Sequence, residues 1–168
     1  MIPAPDPIET DVDVGISINE SGFVVEGGTP NYGAPLAYLG DWDNDKRVLT
    51  FLSFDISNIS ALDDVNIKDV SITIPVVGKV NQPEDASSKI FVEMSGGYIE
   101  ILYTSPSLNN LNFFGSSLEN GLQNTVDADQ QIFGLVIGFE DVLANGIKDY
   151  YRIHAYSVVL HVKYEVPG

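Results

Sequence analysis

Apolar and polar positions alternate along most of this chain, which is the period of a strand packed on one face. VDVGISI (12–18) alternates, and FVVEG (23–27) follows it after Ser21-Gly22. GGTPNYGAP (27–35) supplies Gly, Pro and Asn in the mixture that turns require. From Arg47 to Ile56 a long strand is predicted, with Val48, Thr50, Leu52, Phe54 and Ile56 on one parity. Leu49 and Phe51 are apolar on the other parity, so both faces of this strand should be covered. VNIKDVSITIPVVG (65–78) is β-branched and alternating, and KIFVEM and YIEILY read as shorter strands. QIFGLVIGFE (131–140) is strongly apolar. The last strand is predicted over Arg152–Val166, with Tyr156, Val158, Leu160, Val162, Tyr164 and Val166 facing one way and His161, Lys163 and Glu165 the other.

Helical signal is weak. LENGLQNTV and EDVLANGIKDY each hold a turn or two, but Gly121 and Gly146 interrupt them. No helix longer than about three turns is expected. Many short strands separated by turn signals predict an all-β chain, a two-sheet antiparallel sandwich. Phe54, Ile72, Ile74, Val136, Val158 and Leu160 are the expected core. Residues 1–10 read as a proline-rich linker and 11–168 as a single domain. PAPDPIETD resembles the linker that follows a removed leader, with Met1 either a native start or an added one.

Charge narrows the partners. The 168 residues carry 24 acids against 8 bases, a formal net charge of −16. Nucleic acid would be repelled. Anionic membranes and polyanionic glycans are disfavoured unless a divalent cation bridges them. No apolar stretch has the length of a membrane span. With no cysteine, disulfides and thiolate metal sites are excluded, leaving His154 and His161 as the imidazoles.

One order of residues carries a family likeness. Asn31-Tyr32-Gly33, then Gly40, Arg47 and Phe54-Asp55-Ile56-Ser57, follow one another as in the DNRLRE-type domains, which this chain resembles. VNIKDVSITIPV resembles that family's next strand, and YSVVLHVKYE its closing one. The likeness covers the first third and the last strand; about 79–130 carries no such signature. It implies a jelly-roll sandwich on a secreted protein, with relatives classed as carbohydrate-binding modules.

The chemistry concentrates at GDWDNDKR (40–47). Alternating Asp41, Asp43 and Asp45 put oxygens on one side of a tight loop, which suits a hard cation such as Ca2+. An EF-hand is excluded, because Lys46 and Leu52 stand where its glycine and twelfth-position glutamate belong. A looser calcium loop would borrow Asp55, Glu20, Glu26 or a carboxylate elsewhere. The alternative is a solvated acidic turn paired with Lys46 and Arg47. For a sugar, exposed aromatics supply stacking platforms: Trp42 first, then Tyr32, Tyr38 and Tyr151 of the Tyr150-Tyr151 pair. The competing role for Trp42 is a lid on the core. No serine sits in a nucleophile elbow and no histidine neighbours a nucleophile in sequence, so no catalysis is expected. The expected function is therefore an extracellular or cell-surface module that binds a carbohydrate or surface polymer. The rival is self-association: a structural filament subunit that lends IETDVDVGISI to a neighbour's sheet edge. Within a lone module the same segment is simply the first strand of its own sheet.

Overall fold

The computed structural model of the chain describes residues 1–42, 46–81, 83, 89–95, 98–103, 110–141 and 146–168, with backbone alone at Lys89 and 98–103. Its strands are β1 (Ile8–Gly15), β2 (Gly22–Val25), β3 (Asn31–Tyr32), β4 (Leu36–Asp41), β5 (Arg47–Asp55), β6 (Asn66–Ile74), β7 (Val76–Val80), β8 (Lys89–Met94), β9 (Tyr98–Tyr103), β10 (Leu111–Phe114), β11 (Ile132–Phe139), β12 (Asp149–His154) and β13 (Val159–Val166). Among the elements that join them are a single helical turn, α1 (Ser57–Ser60), and a longer helix, α2 (Ser116–Asp127). Strands take up 54% of the chain, far above the usual quarter.

The strands form two packed antiparallel sheets, so the expected all-β sandwich is what the chain builds. The smaller sheet runs β1-β13-β6-β10. The larger has nine strands, ordered β7-β12-β4-β5-β11-β8-β9, with β2 and β3 attached through β5. Inner faces of both sheets share one core. Ile72, Ile74, Leu160 and Val162 come from the small sheet; Leu39, Leu52, Phe54, Ile137 and Ile153 come from the large one. The jelly-roll connectivity is a finer statement than these pairings make.

Five expectations from sequence alone are corrected. The first strand begins at Ile8, inside the segment read as linker, and pairs with β13 along its whole length within its own chain. Residues 65–78 split at Pro75, whose missing N–H cannot join a ladder, so β6 lies in the small sheet and β7 in the large one. Arg152–Val166 splits likewise, with a 3-10 turn at Ala155–Ser157 carrying the chain from β12 in the large sheet to β13 in the small one. Val136 is half-buried on the outer face, while Phe133, Leu135 and Ile137 on the opposite parity are core. Finally, LENGLQNTV holds more than a turn or two: it lies within α2, whose 12 residues make about three turns, within the expected limit.

Gly121 explains why α2 survives a residue that disfavours helices. A Cβ there would stand 2.6 Å from Met94 Sδ, so the glycine lets the helix settle on β8. Leu118, Leu122 and Val126 then enter the core. The Gln123 amide ties the helix to β6 by accepting from Ile67 N (2.7 Å) and donating to Val65 O (3.0 Å). EDVLANGIKDY lies partly outside the described residues, and its end is strand β12 rather than helix.

Candidate functional site

The acidic loop closes the β4–β5 hairpin. Asp41 pairs with Arg47, and Trp42 N donates to Lys46 O at 2.7 Å. Asp43 and Asp45 lie outside the described residues. Asp41 is fully buried, and its Oδ1 accepts the backbone N–H of Asp149 on β12 at 2.7 Å. Arg47 turns away to an ion pair with Glu26, donates to Phe139 O (3.3 Å) and lies over the Phe91 ring. Asp55 sits at the opposite end of β5, about 26 Å along the strand from Arg47. There it accepts from Ser57 N at 2.9 Å at the head of α1. The Ser57 hydroxyl, and then its N–H, hold the Asp55 carboxyl below its usual 3.8. Asp41 and Asp55 are thus not brought together. Among the described residues, no three His, Asp or Glu side chains gather as a metal site.

The expected sugar platforms fare differently from one another. Trp42 stacks on Tyr150 (centroids 4.9 Å, 21° between planes), meets Tyr38 edge-on at 5.3 Å, and carries Lys148 Nζ 4.5 Å from its centroid. Tyr38 also contacts Phe23 and Tyr150 edge-on. Trp42, Tyr38 and Tyr150 form a cluster beside the hairpin, and Phe23 links it to the main core. Tyr151 points the other way, into the core against Phe139, because consecutive strand residues face opposite sides. Tyr32 is the platform left open, at 63% exposure.

Tyr32 stands at one end of a row that crosses the large sheet. Pairings run Tyr32 to Gly22, Gly22 to Phe51, Phe51 to Val136, and Val136 to Glu93. Four strand spacings make this row about 19 Å long. Gly22 is required in the middle, since a Cβ there would lie 1.8 Å from Asn31 O. Its absence of side chain lets the Tyr32 and Phe51 rings meet, centroids 5.2 Å apart. Beside the row lies a groove of about 320 Å³, lined by Phe51, Ser53, Glu93, Ser95, Gly134 and Val136. Gly134 is its floor. A Cβ at Gly134 would touch only Ser95 Oγ, at 3.1 Å, so the space above it is open. Ser95 Oγ holds this floor by accepting from Gly134 N (2.8 Å) and donating to Gly134 O (3.2 Å).

Sequence reasoning named Tyr32 but missed Phe51, Glu93 and Gly134. They lie on β5, β8 and β11, and only strand pairing joins them. The apolar off-parity position of Phe51 is the available signal, but in sequence it reads equally as a covered face.

A second polar cluster lies on the outer face of the small sheet. His161 Nδ1 is 2.6 Å from Asp13 Oδ1, and its Nε2 is 3.3 Å from Thr73 Oγ1. Strand pairing thus brings a histidine beside a hydroxyl that is distant from it in sequence. The Thr73 hydroxyl, however, donates to Asn112 Oδ1 (3.2 Å), and the array lies on an exposed strand surface. Among the described residues no helix is long and apolar enough to cross a membrane. No protein-family model matches the chain, and no curated protein is similar to it.

Proposed function

We propose that this protein is a non-catalytic β-sandwich module that binds a carbohydrate or comparable surface polymer on the outer face of its nine-stranded sheet. The observation that carries this reading is the open Tyr32 ring, which meets Phe51, a lining residue of the glycine-floored groove. Pyranose C–H groups pack on an aromatic face, while hydroxyls need donors and acceptors nearby; Ser53, Glu93 and Ser95 supply them. A row of about 19 Å suits a chain of sugars better than a single one. The resemblance to DNRLRE-type domains adds a jelly-roll connectivity and an extracellular or cell-surface setting to the proposal.

Binding of soluble oligosaccharides, followed by calorimetry, tests it. Tyr32→Ala should weaken binding about tenfold or more, since aromatic contacts of this kind contribute roughly 1 kcal/mol beyond area burial. Its melting temperature should fall by only about 1–6 °C, through loss of the edge contact between the Tyr32 and Phe51 rings. Undiminished binding by this variant would sink the reading.

The calcium proposal for the hairpin rests on Asp43 and Asp45, since Asp41 and Asp55 are turned to other partners. Its test is a melting temperature in millimolar CaCl2 that exceeds the one in NaCl at matched ionic strength. The filament reading draws on β1, an edge strand of the small sheet that pairs with β13 among the described residues. A solution mass that climbs with concentration supports that reading, and a constant monomer mass removes it.

A further inference from the structure

Among the described residues, Glu93 is the charged group that lines the groove. It is exposed at the end of the cross-strand row away from Tyr32. A carboxylate accepts stronger hydrogen bonds than an amide from any donor, and from an ammonium group it gains the attraction of opposite charges as well. The rings at the other end, Tyr32 and Phe51, favour positive charge over their faces too. The net charge of −16 opposes uronic acids and sulfated sugars and draws in polycations.

Resting on the carbohydrate-binding reading above, we infer that the groove over Gly134 is an amino-sugar subsite, taking a chain of hexosamine units whose free ammonium groups meet Glu93. The occupant is thus a de-N-acetylated hexosamine polymer, laid across β2, β5, β11 and β8. Gly134 sets its depth. Its backbone needs no left-handed conformation, so the glycine is explained by the open space above it rather than by a turn.

The experiment compares three hexamers by calorimetry in 0.15 M salt: β-1,4-linked glucosamine, its N-acetylated counterpart, and cellohexaose. The glucosamine hexamer should bind tightest. Glu93→Gln should weaken it about three- to tenfold and erase its advantage over cellohexaose. Gly134→Val, which fills the floor, should weaken all three hexamers by more than about tenfold. Should that variant lose its fold, Tyr32→Ala reports on the same face through the ring that meets Phe51. Asp69→Asn is the control for diffuse charge, since Asp69 is exposed on the small sheet. Equal losses from Glu93→Gln and Asp69→Asn overturn the subsite, because the attraction would then belong to the whole surface. Tighter binding of cellohexaose than of the amine overturns the amino-sugar assignment while leaving the carbohydrate reading intact. Failure of all three hexamers to bind takes down both.

Discussion

Replacing Trp42 with alanine separates its two candidate roles. Its ring is stacked on Tyr150, edge-on to Tyr38, and beneath the Lys148 ammonium. Each aromatic pair contributes about 0.5–1.5 kcal/mol beyond area burial. A cation over an exposed ring adds roughly 0.5–1 kcal/mol. Trp42 is half-buried, and these contributions share one ring, so they do not add fully. A loss of about 2–3 kcal/mol is expected, which for a chain of this length lowers Tm by about 4–12 °C. Thermal unfolding followed by circular dichroism reads the shift. A cycle with Tyr150→Leu should show the two losses to be strongly non-additive. Oligosaccharide affinity should change far less than in Tyr32→Ala. A Tm within about a degree of the parent, with binding lost, would show that Trp42 is the platform and that the cluster is incidental.

Three further substitutions probe the fold. Phe54→Ala, at a fully buried site in the shared core, should cost about 3–5 kcal/mol in urea unfolding; a loss below about 1 kcal/mol would contradict its place there. Gln123→Ala strips the partner from the Ile67 N–H, and about 1–3 kcal/mol should be lost, with an unchanged unfolding midpoint as the refuting result. Asp55 has a folded pKa depressed below its ordinary 3.8, so its contribution to stability is present above that value and lost as pH falls through the folded one. Asp55→Ala should therefore flatten the acid limb of the stability profile below about pH 4, and an acid limb identical to the parent's would refute the capping role.

Much of the architecture was legible because period-two alternation reports directly on a half-buried sheet. Val48 through Phe54 and Val158 through Tyr164 face the core as their parity predicts. Where both parities are apolar, alternation carries no inside or outside, and that is why Val136 was misplaced in QIFGLVIGFE. The sheet changes at Pro75 and Ala155 were hidden by apolar runs that continue through them. Asp41 reads as a solvent-facing loop acid, yet it is buried because β12 offers it the Asp149 N–H. The Tyr150-Tyr151 pair could be told apart only once the register of β12 was fixed. Tyr32 was visible as a tyrosine in a turn. Its companions were not, since Phe51, Glu93 and Gly134 meet through pairings between strands distant in sequence.

The two sheet changes meet at one corner. Where β6 hands over to β7, Pro75 O accepts from His154 N (3.1 Å), at the point where β12 hands over to β13. Two chain crossings are thereby stitched together, and each belongs to both layers. Peeling the layers apart would have to unpick this seam and reverse both crossings at once. Amide hydrogen exchange along β6, β7, β12 and β13 should then report a single free energy of opening, that of the whole molecule, rather than separate values for the two layers.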